Sequence, residues 1–128
     1  MSKKLLAMLI MLFSSDALAE WTYINSTDNF DAYVDLMTIR KQGNEAKMWS
    51  LIDHKNIQSI GTKKFLSVKV QFKYDCENET SRILFMSFSS GNMGSGDAIH
   101  SVNQADSETP IIPNSIDEQR SKIACGKK

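Results

Sequence analysis

Cys76 and Cys125 are the two cysteines of this 128-residue chain, and two thiols can form a disulfide, bind a metal or act as reactive groups. In an oxidising compartment the expected chemistry is pairing. A bond between them would close a loop of about 50 residues and contribute roughly 4 kcal/mol on chain-entropy grounds. Two free thiols, or a bond between two chains, are the alternatives that remain open.

Catalytic chemistry has little support in the sequence. His54 and His100 are the only histidines, and no recognised metal or nucleophile motif surrounds either. The glycine-rich stretch 91–96 lacks the Gly-Lys-Ser/Thr ending of a phosphate-binding loop, so we predict a hairpin loop there. The remaining acidic candidates are scattered over turns and strand ends: Asp28, Asp31, Asp35 and Asp53. We predict no enzyme, no metal site and no cofactor; a histidine-based hydrolase of envelope material is the catalytic alternative.

A basic stripe is the best candidate for a binding surface. Lys69 and Lys73 share the polar face of one predicted strand, and Arg82 begins the next strand. Such a stripe could bind an acidic glycan or an acidic protein surface. The alternative is an ordinary solubilising face.

Residues 1–19 have the pattern of an export signal. Lys3 and Lys4 precede the apolar stretch Leu5–Phe13, and Ala17-Leu18-Ala19 supplies small residues for cleavage between Ala19 and Glu20. Nine apolar residues are too few for a membrane-spanning helix, which needs about 20. The alternative is a buried N-terminal helix. Because no cysteine lies near the cleavage site, we expect a periplasmic or secreted protein with no lipid anchor and no integral membrane segment.

Removal of the signal determines the size and charge of the mature chain. Taking 19 residues from 128 leaves 109, which suits a single domain over residues 20–128. Loss of Lys3, Lys4 and Asp16 leaves 13 basic against 14 acidic residues. A nucleic-acid-binding protein normally has a basic excess, so we predict no nucleic-acid partner.

Alternating polarity predicts an antiparallel sheet. Apolar residues and Cys76 occupy the even positions of Leu66–Cys76, with polar residues at the odd ones. Arg82–Ser89 is apolar on both faces at its centre, as expected for a central strand. We expect Asp53–Lys55 to lie at a strand end, as a solvated hairpin edge. The other predicted strands are Trp21–Asn25, Phe30–Asp35, Lys47–Asp53 and Ala98–Val102.

The C-terminal segment predicts a helix. Ser115 and Glu118 fit a capping box, and Gly126 is a suitable helix stop. Ile116 and Ile123 share one face of this helix. Cys125 lies about 180° from Ile116 around an ideal helix, so we expect the last turn to fray or twist if Cys125 is to reach the sheet.

Eight short segments are spread along the chain: Trp21, Tyr33–Arg40, Lys47–Asp53, Tyr74–Cys76, Arg82, Met93–Gly96, Pro113–Ile116 and Cys125. In this order and spacing they resemble the surface-adhesin protein E family of small exported bacterial proteins. The resemblance covers nearly the whole mature chain, and it implies an antiparallel sheet with a C-terminal helix held on one face by the two cysteines. It also implies adhesion to host extracellular-matrix and serum proteins, the activity of the family's lipid-anchored members.

These observations predict an α+β fold with about six antiparallel strands and one disulfide-linked C-terminal helix. The predicted function is an exported, non-enzymatic binding module that recognises an extracellular or host protein. An aromatic cluster left exposed on the sheet would be a partner-binding surface or the seam of a homodimer. The alternative function is a periplasmic inhibitor or accessory protein that binds an enzyme or an envelope component.

Overall fold

A computed structural model describes residues 20–127, and the predicted signal at residues 1–19 lies outside this range. Within residues 20–127, seven strands precede one C-terminal α-helix, and a short 3-10 turn, Asn92–Gly94, lies before the sixth strand. The elements are β1 (Thr22–Ser26), β2 (Phe30–Gln42), β3 (Glu45–Ile60), β4 (Lys63–Asp75), β5 (Thr80–Ser89), β6 (Ala98–Val102), β7 (Thr109–Pro110) and α1 (Ile116–Cys125).

The strands form one antiparallel sheet in the order β1-β2-β3-β4-β5-β6. Each of the strands β1 to β6 pairs with its neighbour in the chain, so no long crossover connection is needed. The two-residue strand β7 returns to pair with the start of β5, where Thr80 lies opposite Pro110. The predicted α+β fold with its antiparallel sheet is confirmed.

Strand β3 is longer than the sequence pattern predicts. Asp53 and His54 do not end a hairpin, because the strand continues to Ile60 and turns at Gly61. The register between β3 and β4 shifts between Asp53 and Gln58, which breaks the period-two pattern that would have revealed the longer strand. The prediction of a hairpin edge at Asp53–Lys55 is therefore wrong.

Helix α1 covers one face of the sheet and lies against β2, β3 and β4. The Arg120 guanidinium lies 5.1 Å from the centre of the Phe72 ring, and the Tyr74 hydroxyl donates to Asp117 at 3.2 Å. Phe72 and Tyr74 are the even-numbered residues that alternation predicts to be buried. Fully buried side chains of β2, β3 and β4 complete this core: Val34, Met48 and Val70.

The caps of α1 are as predicted, but its last turn is not frayed. Ser115 accepts a hydrogen bond from the Glu118 amide at 3.1 Å, and Gly126 ends the helix with φ of 73°. The buried positions are Arg120 and Ala124, not the isoleucine face. Because that buried stripe lies between the isoleucines and Cys125, the cysteine reaches the sheet from a regular helix.

The Cys76–Cys125 disulfide is confirmed and joins the residue after β4 to the last residue of α1. Its two Cα atoms are 5.8 Å apart and 49 positions apart in the sequence. Lys41 donates to the Cys125 carbonyl at 2.9 Å, which ties the helix end to β2 as well. No helix within residues 20–127 is long and apolar enough to cross a membrane.

Candidate binding surface

The sheet face opposite α1, called the open face from here on, carries the odd-numbered residues of β4. Because Phe72 and Tyr74 point to the helix, Lys69, Gln71 and Lys73 point away from it. The register then assigns side chains of the other strands to the same face, row by row. This face has no helix over it.

Four aromatic side chains, called the aromatic band from here on, lie on the open face in two adjacent rows. They are Tyr23, Tyr33, Trp49 and Phe85. The Tyr23 and Tyr33 rings are 5.8 Å apart, and the Trp49 and Phe85 rings are 5.5 Å apart, both edge to face. Tyr23 is 56% exposed, and the other three are half-buried. An exposed aromatic cluster does form, on the face that the helix leaves open.

The hydroxyl of Tyr33 remains neutral at physiological pH. Its burial, and then the negative charges of Asp31 and Asp53, raise the pKa of Tyr33 above its ordinary value. Leu51, which lies between Tyr33 and Lys69 in the register, is fully buried although it belongs to the open face. The side chains around Leu51 therefore close over it and make a packed surface.

The predicted basic stripe is divided on the open face. Lys73 lies directly opposite Arg82, but Lys69 lies four residues along β4, about 14 Å away. Gln71 stands between the two lysines, with Trp49 and Phe85 as its register partners. Lys69 instead lies against the loop after β5, where a Cβ on Gly94 would be 2.5 Å from the lysine Cε.

Two further basic residues join Lys73 and Arg82, and the sequence reasoning missed both. Lys47 lies opposite Lys73, and Arg40 lies opposite Lys47. Arg40, Lys47, Lys73 and Arg82 thus form one row across β2 to β5, called the basic row from here on. Lys47 shares its strand parity with Trp49, but only the pairing of the four strands shows that the cations are aligned.

The glycine-rich loop after β5 folds over one end of the open face. The Ser67 hydroxyl donates to the Gly91 carbonyl at 2.6 Å and accepts from the Gly94 amide at 2.8 Å. Asp53 accepts from the Met93 amide and from the Asn92 side chain, both at 2.9 Å. These hydrogen bonds hold the loop against β3 and β4, and none of them marks a phosphate-binding site.

Replacing Ser67 by alanine should lower the free energy of unfolding by about 1–3 kcal/mol, because two loop groups lose their partner. Ser50 is the matched control: it is also fully buried, yet its hydroxyl has no hydrogen-bond partner within residues 20–127. Ser50→Ala should therefore change the stability by less than about 0.5 kcal/mol. Urea unfolding of both variants measures the difference, and equal losses would show that the Ser67 hydrogen bonds do not hold the loop.

The two histidines belong to a chain of rings at the end of the sheet. His54 lies edge to face between Phe30 and Phe65, with centroid distances of 6.0 and 5.7 Å, and His100 lies 5.7 Å from Phe88. Burial lowers the pKa of His54, and the nearby Asp53 charge opposes this in part. Within the described residues, no three His, Cys, Asp or Glu side chains are grouped to hold a metal ion.

Three of the four carboxylates considered for catalysis, those of Asp31, Asp35 and Asp53, have structural contacts, and Asp28 is exposed. Asp35 is buried and accepts from the Met37 amide at 3.1 Å, in the bulge of β2. Asp31 lies 4.0 Å from Lys55, and Asp53 anchors the loop described above. Asp31 and Asp53 lie opposite each other in the register of β2 and β3, but each carboxylate is held by its own structural contact.

Comparison with known proteins matches nearly all of the described residues to one protein family. The family model of surface-adhesin protein E matches residues 21–126. No curated protein matches the sequence. In fold, the chain is similar to the selenomethionine form of Haemophilus influenzae protein E, with a TM-score of 0.66 and 14% identity over 89% of this chain and 93% of that chain. The crystal structure of protein E from non-typeable H. influenzae is also similar, with a TM-score of 0.61 and 13% identity over 89% of this chain and 82% of that chain.

Proposed function

Since this chain belongs to the surface-adhesin protein E family, we propose that it is an exported, non-enzymatic binding module that recognises an extracellular protein through its open face. The family name supports adhesion, and the similar fold of H. influenzae protein E supports the same architecture. The disulfide supports export, because such bonds persist in oxidising compartments.

The aromatic band carries this proposal. Tyr and Trp are enriched at protein interfaces, where they supply large contact areas with few rotatable bonds. The band lies on the face without a helix, and Leu51 beneath it is fully buried. The side chains are therefore held by packing before a partner binds, which reduces the entropy cost of association.

The test compares two double variants on a panel of immobilised matrix and serum proteins. Tyr23→Ser with Tyr33→Ser removes half of the aromatic band. The matched control is Ile57→Ser with Ile112→Ser, which removes two apolar side chains that are 63% and 70% exposed outside the band. The native protein should bind at least one panel member saturably, the band variant at least tenfold more weakly, and the control within about twofold.

Two results would contradict the proposal: no saturable binding by the native protein, or an equal loss of binding affinity in both variants. If the native protein is instead a dimer that only the band variant converts to a monomer, the band is the seam of a homodimer. Sedimentation of the three proteins distinguishes that outcome.

We also propose cleavage between Ala19 and Glu20 on export. N-terminal sequencing of the untagged protein checks the cleavage position, and protease treatment of intact cells checks its exposure. Protein cleaved or shed from intact cells supports an adhesin. Protein protected until the outer membrane is opened supports the periplasmic inhibitor or accessory role instead.

A further inference from the structure

The basic row is a line of charge and not a pocket. Neighbouring strands lie about 4.8 Å apart, so the four side chains extend about 14 Å across the sheet, at right angles to the strands. Arg40 and Lys47 are exposed, and Lys73 and Arg82 are partly exposed. A ligand that matches this row must carry several anionic groups at short intervals along an extended chain.

The row is a local concentration of positive charge in a chain with no net charge. Glu45 pairs with Lys73 at 3.2 Å. Among residues 20–127, no carboxylate lies within 4.0 Å of a nitrogen of Arg40, Lys47 or Arg82. Three of the four cations are therefore available to an external anion.

One end of the basic row forms a depression in the surface. This shallow depression is lined by Arg40, Lys41, Gln42, Glu45 and Lys47. The Arg40 guanidinium donates to the carbonyl groups of Met37 at 3.1 Å and Ile39 at 2.9 Å. These two bonds hold Arg40 in place, while its remaining N–H groups can bind a sulfate or carboxylate.

An apolar strip runs beside the charges. Trp49 and Phe85 lie in the next row of the open face. Trp49 is two residues from Lys47, or about 7 Å, and Phe85 is three residues from Arg82 because Leu84 is an extra residue in the register of β5. A sugar ring has apolar C–H faces that pack against aromatic rings, and acidic sugars carry their charges on the ring edge. The parallel arrangement of cations and aromatics matches both features.

We propose that the basic row binds a linear acidic glycan, a polysaccharide bearing sulfate or carboxylate groups, with its sugar rings against Trp49 and Phe85. This activity goes beyond the proposed function, because it requires no protein partner. An extended acidic peptide would match the charges without using the aromatic strip, and it is an outcome of the test.

The test is calorimetric titration of the disulfide-bonded protein with size-defined heparin oligosaccharides at 50 and 300 mM NaCl. Lys47→Gln with Arg82→Gln should weaken binding at least tenfold at low salt. The control, Lys64→Gln with Lys122→Gln, removes the same charge away from the row and should change the affinity less than about twofold. Phe85→Leu should weaken heparin binding several-fold but leave binding of polyglutamate unchanged. Circular dichroism checks that all variants are folded.

Three results would overturn the proposal. Absence of heparin binding at 50 mM NaCl would show that the basic row is not a glycan-binding site. Equal losses of heparin affinity in the two charge variants would show that overall charge alone attracts the glycan. Polyglutamate binding as tight as heparin, with no effect of Phe85→Leu on either, would identify an acidic-peptide site instead. None of these results depends on the Tyr23 and Tyr33 experiment, so the two proposals can fail separately.

Discussion

Replacing Cys76 and Cys125 together by alanine is expected to lower the free energy of unfolding by about 4 kcal/mol. The disulfide closes a loop with a sequence separation of 49, and opening it gives the unfolded chain many more conformations. The loss is large for a domain whose total stability is typically 5–15 kcal/mol. Urea unfolding monitored by circular dichroism measures it.

The control for this experiment is the native protein under reducing conditions, which should unfold at the same urea concentration as the double variant. Agreement between the two would show that the loss comes from the covalent link and not from the alanine side chains. Unfolding curves of native and variant protein within about 1 kcal/mol of each other would contradict the prediction.

Replacing Asp117 by alanine is expected to cost about 3 kcal/mol, because this carboxylate satisfies several groups beneath α1. It accepts hydrogen bonds from the hydroxyls of Tyr74 at 3.2 Å and Ser81 at 2.8 Å, and it lies 4.0 Å from the Arg120 guanidinium. Arg120 is only 6% exposed. Without Asp117, the buried positive charge has no counter-charge and two hydroxyls have no acceptor.

The electrostatics of this cluster support the same expectation. Burial, followed by the Asp117 charge, raises the pKa of Tyr74, so its hydroxyl stays a neutral donor. Burial lowers the pKa of Arg120, which shows that its environment disfavours an isolated positive charge. The carboxylate of Asp117 offsets that cost while it remains in place.

Arg120→Met is the matched variant, because methionine retains an apolar stem over Phe72 and removes the charge. It should change the free energy of unfolding by less than about 1 kcal/mol. The double variant should lose less of this free energy than Asp117→Ala alone. Chemical denaturation of the native protein, the two single variants and the double variant completes this cycle. A loss from Arg120→Met as large as that from Asp117→Ala would show that the arginine is itself a stabilising group.

The two faces of the sheet have different roles. The covered face holds α1 through the disulfide and the Asp117 cluster, so the helix is fixed to the sheet. The open face presents the aromatic band and the basic row on strands whose register is set by that covered core. A surface on rigid strands keeps the spacing of its side chains, which benefits recognition.

Local patterns in the sequence were sufficient to predict the class of fold and the helix caps. The alternation along Leu66–Cys76 predicted which side of β4 is buried, since neighbouring side chains of a strand point to opposite faces. Ser115 and Gly126 predicted the two ends of α1, because cap residues act within a few positions of themselves. The pairing of Cys76 with Cys125 followed from there being only two cysteines.

Only the tertiary structure decided which residues share the binding surface. The side chain of Lys47 is aligned with those of Lys73 and Arg82 by the register of β3, β4 and β5, and register depends on contacts between strands that are distant in the sequence. The bulges in β2 and β3 shift that register without a clear sequence signal. Likewise, the buried Arg120 appears in the sequence as an ordinary polar helix residue. Its burial depends on Phe72 and Asp117 together, because a charge enters the core only where tertiary contacts compensate it.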